Sequence, residues 1–126
     1  MKNNPVGWFE IYVDEMARAK KFYESVFGVD LEVLGDPNDS NMEMFAFPSN
    51  MEKYGATGAL VKMGGFPAGG NSTLIYFSCE DCAVEEARVD LAGGRVQKSK
   101  MPIGKYGFIS LAIDSEGNMF GLHSLK

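Results

Sequence analysis

The amino-acid sequence predicts a single α+β domain, residues 1–126, in which two βαβββ modules form one curved mixed sheet with the helices outside. Three observations lead to this prediction. Strand-like and helix-like periodicities alternate along the chain, the same order of elements occurs twice, and a length of 126 residues suits one domain. The first module covers residues 5–64, a linker covers residues 64–72, and the second module covers residues 73–126.

The composition argues against several classes of function. Hydrophobic residues make up 45% and charged residues 23% of the chain, as in an ordinary globular protein. The formal net charge of -5 provides no basic surface for nucleic acid. The stretch Met1–Pro5 lacks the apolar segment of a signal peptide. We therefore expect a cytoplasmic protein that has neither a nucleic-acid nor a membrane partner.

The first module opens with a strand over Gly7–Val13, which is rich in β-forming residues. An amphipathic helix is predicted from Glu15 to Phe27, because its apolar residues recur at spacings of three and four. Asp14 is expected to cap this helix, and Gly28 is expected to end it in the left-handed conformation. The remaining strands and turns of this module are Asp30–Leu34, turn Gly35–Ser40, Met42–Phe47, turn Pro48–Asn50 and Thr57–Met63.

The glycine-rich segment Gly64–Asn71 is predicted to be a flexible linker. It does not have the features of a phosphate loop, because a strand rather than a helix follows it. The elements predicted for the second module are strand Thr73–Cys79, a helix from about Cys82 to Ala92 ended by Gly93-Gly94, and strands Arg95–Ser99, Phe108–Ile113 and Met119–Ser124. This second βαβββ order indicates an internal duplication.

The two cysteines, Cys79 and Cys82, have the C-x-x-C spacing of a redox pair or of half a zinc site. A tetrahedral zinc site lacks ligands here, because the sequence has no second cysteine pair and its one histidine is His123. We interpret Cys79 as a small buried apolar residue. A redox pair at the start of the second helix stays open as the alternative.

Two motifs resemble the vicinal oxygen chelate superfamily, which contains glyoxalases, bleomycin-resistance proteins and extradiol dioxygenases. Val13-Asp14-Glu15-Met16, followed by Phe22-Tyr23 and Phe27-Gly28, resembles its strand-to-helix opening. Asp114-Ser115-Glu116-Gly117-Asn118, followed by Met119-Phe120-Gly121-Leu122, resembles its closing hairpin. The resemblance spans nearly the whole chain. It implies two paired modules around a concave ligand cleft, and a homodimer.

Members of this superfamily hold a divalent metal with His, Gln or Glu side chains from the first and last strands of each module. By the resemblance, those positions carry Trp8, Leu74 and Gly121 in this chain, and the fourth lies near Gly58-Ala59. None of these side chains binds a metal. We therefore predict no metal and no cofactor, which disfavours a metal-dependent glyoxalase or ring-cleaving dioxygenase.

Strand alternation extends the candidate site beyond these positions. A strand that directs Trp8 into the cleft directs Glu10 and Tyr12 the same way and Phe9 toward the helix. Similar reasoning applies to the first strand of the second module and to the last strand. The predicted ligand-binding residues are Trp8, Glu10, Tyr12, Leu74, Tyr76, Gly121 and His123.

Three functions are compatible with this cleft. The first is metal-independent binding of a small apolar or aromatic molecule. The alternative is a metal-independent lyase or isomerase in which Glu10 or His123 acts as the general base. The third is an interaction module whose cleft is filled by its own side chains and whose sheet edges pair with another chain. Lys62, Lys98 and Lys105 provide charge either at the cleft rim or on the solvated surface.

Overall fold

A computed structural model of the chain describes residues 4, 6–35, 38–39 and 41–126. The predicted stretches Met1–Pro5 and Gly35–Ser40 fall partly outside the described residues. The chain has the predicted α+β class, with two successive βαβββ units. The elements are β1 (Phe9–Tyr12), α1 (Met16–Phe27), β2 (Glu32–Leu34), β3 (Met42–Ala46), β4 (Gly58–Met63), β5 (Tyr76–Ser78), α2 (Cys82–Glu86), β6 (Arg95–Pro102), a 3-10 turn (Gly104–Tyr106), β7 (Phe108–Ile113) and β8 (Met119–Ser124).

Each unit contributes one four-stranded mixed sheet, and the two sheets have equivalent topologies. The strand orders are β1-β4-β3-β2 and β5-β8-β7-β6. The first strand of each unit runs parallel to the last one, which places Glu10 opposite Ala59 and Tyr76 opposite Gly121. Within the described ranges, no ladder of hydrogen bonds joins the edge strands β1 and β5. The structure therefore has two four-stranded sheets, and side chains such as Phe9 of β1 and Phe77 of β5 make contact between them.

The two units share one hydrophobic core. Helix α1 buries Phe22 and Tyr23 completely, because its apolar residues recur on one face. The Tyr23 ring lies 5.7 Å from the Phe120 ring of β8 and 6.0 Å from the Phe77 ring of β5. Phe77 in turn meets Phe9 of β1 edge-on at 5.8 Å. Because these pairs cross the boundary between the units, the halves are held together as one folded domain.

The start of α1 is held by the second module, which corrects the expectation that Asp14 caps this helix. The N-cap residue is Glu15, and its own side chain makes no capping hydrogen bond. The N–H groups of Asp14 and Glu15 instead donate to Oε1 of Glu116, at 3.0 and 2.9 Å. The Asp14 carboxylate accepts from the N–H of Ala68 and so holds the linker. Gly28 ends α1 as predicted, with a φ of 64°.

Helix α2 is shorter than predicted. It covers Cys82–Glu86, and its start is capped by Asp81, whose side chain accepts from the N–H of Ala83 at 3.0 Å. The predicted continuation toward Ala92 forms turns instead. In these turns Val89 is buried in the core, whereas Leu91 is 96% exposed. No helix in the described ranges is long and apolar enough to cross a membrane.

Candidate functional site

A cavity of about 1470 Å³ lies between the edge strands β1 and β5 and beneath the segment that connects the two sheets. Side chains of both strands line it, and it reaches inward to the core aromatics Tyr23 and Phe120. An open cavity of this size counts against the alternative of an interaction module whose cleft is filled by its own side chains. Five of the predicted site residues line this cavity: Trp8, Glu10, Tyr12, Leu74 and Tyr76.

On the β1 side, three side chains are connected by hydrogen bonds. Nε1 of Trp8 donates to Oε2 of Glu10 at 3.3 Å, and the hydroxyl of Tyr12 donates to Oε1 of Glu10 at 2.8 Å. The hydrogen bond to Glu10, with partial burial and the negative charge of Glu10, raises the pKa of Tyr12. Tyr12 therefore stays a neutral donor across the physiological pH range. Strand alternation explains this arrangement, because Phe9 and Ile11 face the core.

On the β5 side, the ring of Tyr76 lies over the backbone of Gly121. A Cβ atom added at Gly121 would lie 2.3 Å from Cδ1 of Tyr76, well inside contact distance. Gly121 occupies one of the positions that resemble metal-ligand positions. Because it has no side chain, it leaves room there for the ring of Tyr76. Tyr76 remains 44% exposed and lines the cavity, whereas Phe77 beside it packs against the core. Leu74 lies just before β5 and also lines the cavity.

The connecting segment covers the cavity, a role that the prediction of a flexible linker missed. The ring of Phe66 stacks on Tyr12, with 5.4 Å between ring centroids. Asn118 holds the segment in place, because its Oδ1 accepts from the N–H of Gly69 at 2.7 Å. Its Nδ2 donates to the carbonyl of Tyr12 at 2.9 Å. A lone aromatic residue inside a glycine-rich segment was the available signal that this segment packs against something.

The remaining predicted residues lie elsewhere. Gly121 and His123 are not among the described residues that line the cavity, and Nε2 of His123 lies 2.7 Å from the carbonyl oxygen of Tyr106. The cavity therefore does not bring together Glu10 and His123, the two candidates for the general base. The three lysines considered for its rim, Lys62, Lys98 and Lys105, do not line it either.

Cys79 is half-buried rather than fully buried as expected, and its environment is that of an unreactive thiol. Cys79 and Cys82 are both free, and Cys82 is fully buried. Burial, together with the charge and hydrogen bond of the neighbouring Glu85, raises the pKa of Cys79 to about 12. A redox or nucleophilic cysteine needs a lowered pKa, so the environment of Cys79 argues against that alternative.

The residues present do not fit a divalent metal. Trp8, Leu74 and Gly121 occupy three of the positions that resemble metal-ligand positions, and the fourth lies near Gly58-Ala59. None of these side chains offers an atom that binds a metal. In the part of the chain that the structure describes, no three His, Cys, Asp or Glu side chains come together at one point.

Two βαβββ units with a cavity between their first strands define a class of paired-module proteins. Residues 6–122 match the Glyoxalase/Bleomycin resistance protein/Dioxygenase superfamily. The chain belongs to this superfamily, which confirms the resemblance seen in the two sequence motifs. A search of curated proteins finds no match.

Solved structures show the same fold at low sequence identity. Glyoxalase I from Zea mays is 21% identical with a TM-score of 0.75, and the alignment covers 96% of this chain and 46% of the maize chain. The chain thus spans about half the length of that relative. TnmS3, an antibiotic-binding protein from Streptomyces sp. CB03234, is 23% identical with a TM-score of 0.67. Here the alignment covers 98% of both chains.

Proposed function

We propose that this protein binds small apolar or aromatic molecules in the cavity between β1 and β5, without a metal ion. The observation that carries the proposal is the replacement of metal ligands by an aromatic lining. Trp8 stands at one such position, and the ring of Tyr76 lies over Gly121 at another. The lining combines aromatic side chains with polar residues such as Glu10, Asn71 and Asn118. Small-molecule sites commonly combine aromatic surfaces with polar groups that orient the ligand.

Two further observations support binding rather than catalysis. Glu10 already accepts hydrogen bonds from Trp8 and Tyr12, while His123 lies outside the cavity lining, so no acid–base pair faces a ligand there. The relative TnmS3 is described as an antibiotic-binding protein, and its length matches that of this chain. TnmS3 supports a binding role for this chain. The proposed class of ligand, apolar or aromatic molecules, follows from the side chains that line this cavity.

Intrinsic fluorescence tests the proposal directly, because Trp8 is the one tryptophan of the chain and lines the cavity. We expect saturable fluorescence changes with members of a library of neutral and charged aromatic compounds. Tyr76→Ala removes one wall of the cavity, so it should weaken binding roughly tenfold, in line with the loss of one buried aromatic contact. Tyr106→Ala is the matched control, because Tyr106 is exposed and does not line the cavity. Silent titrations across the whole library would refute the proposal.

Elemental analysis tests metal independence. A catalytic metal site normally has about three protein ligands, and the four positions that resemble ligand positions provide none. We expect purified, untagged protein to contain no stoichiometric transition metal. One tightly held zinc, nickel, manganese or iron ion per chain would contradict this expectation. The homodimer and the cytoplasmic location also stay predictions.

A further inference from the structure

We infer that the preferred ligands of this cavity are aromatic molecules that carry a positive charge, such as quaternary or protonated ring amines. This inference rests on the proposed function and narrows its ligand class. It follows from the distribution of charge around the cavity. Among the described residues that line it, Glu10 is the one charged side chain, and none is a lysine, arginine or histidine.

Among the residues that the structure describes, no lysine, arginine or histidine forms an ion pair with the carboxylate of Glu10. This carboxylate accepts hydrogen bonds from the neutral donors Trp8 and Tyr12. A carboxylate has about four acceptor positions, so these two bonds leave acceptor capacity on an exposed side chain. A cation in the cavity gains an ion pair that a neutral ring of the same shape does not.

The aromatic surroundings favour the same class of ligand. The indole of Trp8 and the ring of Tyr12 flank the carboxylate, because both donate a hydrogen bond to it. Tyr76 adds a partly exposed ring from the opposite edge strand. The negative faces of such rings attract cations, whereas an anionic ligand would meet both these faces and Glu10. Ring stacking and charge therefore select together for a cationic aromatic molecule.

Isothermal titration calorimetry with three probes of nearly equal shape separates charge from shape. The probes are the cation 1-methylquinolinium, its neutral isostere 1-methylnaphthalene and the anion 1-naphthoate. At low ionic strength we expect the cation to bind roughly fivefold to tenfold more tightly than the neutral probe, as an exposed cation–π contact with an ion pair provides. The preference should shrink as salt is added, because both charges are partly exposed to water.

Two variants assign the preference to Glu10. Glu10→Gln should reduce the affinity of the cation to that of its neutral isostere. Glu43→Gln changes the net charge equally, but Glu43 lies exposed on β3 and does not line the cavity, so the preference should persist. Neutral or anionic probes that bind as tightly as the cation would overturn this inference and leave the proposed function standing. Persistence of the preference in Glu10→Gln would overturn it too. If none of these probes and no compound of the library binds, the proposed function itself fails.

Discussion

The carboxylate of Glu116 is predicted to be one of the largest single contributors to the stability of this fold. Its side chain is fully buried in the turn between β7 and β8, and it joins the second module to the start of α1. Oε1 accepts from the N–H groups of Asp14 and Glu15, and Oε2 accepts from Nε of Arg18 at 2.6 Å. Burial disfavours the charged form, but these bonds outweigh it and lower the pKa of Glu116 to about 2.

The variant Glu116→Gln keeps the shape and one acceptor oxygen but removes the charge and turns an amide N–H₂ toward Arg18. A fall in pKa from 4.5 to about 2 corresponds to about 3 kcal/mol of folding free energy at neutral pH, which is an upper bound. Half of the Arg18 side chain is exposed, so solvent screens part of this interaction. We therefore expect a loss of about 2 kcal/mol, or roughly 8 °C in Tm for a domain of this size.

Urea denaturation followed by circular dichroism between pH 7 and pH 3 measures this loss. The folded pKa of Glu116 is lowered, so its contribution is present above pH 4.5 and is lost as the pH falls toward 2. The difference between wild type and Glu116→Gln should therefore narrow with falling pH. The buried Asp114, whose pKa is raised by burial, is common to both proteins and cancels in the comparison.

Glu43→Gln should cost less than about 0.5 kcal/mol, as expected of an exposed side chain. A loss for Glu116→Gln as small as this control, or a difference that stays constant with pH, would refute the reasoning.

Three further predictions concern packing, thiol chemistry and assembly. Gly58→Ala places a Cβ atom 2.1 Å from the carbonyl oxygen of Phe9, so we expect a loss of about 2 to 3 kcal/mol in urea denaturation. Gly64→Ala, at a position with open space, should be nearly neutral, and equal losses for the two variants would contradict this account. With its pKa raised to about 12, Cys79 should react with iodoacetamide at pH 8 far more slowly in the folded protein than in urea. Mass spectrometry measures the extent of labelling, and rapid labelling of Cys79 in the folded protein would contradict this prediction. Light scattering should give a mass of two 13.8 kDa chains, and a mass of one chain at all concentrations would exclude the homodimer.

The elements that depend on local periodicity could be predicted from the sequence. Strands β7 and β8 have the predicted bounds, and α1 differs from its prediction by one residue at its start. The end of this helix at Gly28 was predictable because it requires only a left-handed backbone conformation, which glycine adopts readily. Strand alternation separated Glu10 and Tyr12 from the core-facing Phe9 and Ile11 because neighbouring side chains in a strand point to opposite faces. The two motifs identified the superfamily because their order and separation survive where sequence identity is slight.

Features that depend on contacts between distant residues were decided by the tertiary structure. Sequence spacing could not show that Glu116, about 100 residues away, replaces Asp14 at the start of α1. The same holds for the stacking of Phe66 on Tyr12, which turns a predicted flexible linker into a wall of the cavity. The end of α2 at Glu86 is a third example, because the turns that follow it bury Val89 in the core and leave Leu91 exposed. In each case the feature is stabilised by burial and by hydrogen bonds between segments that are distant in the sequence. The local sequence does not show which of these segments come together in space.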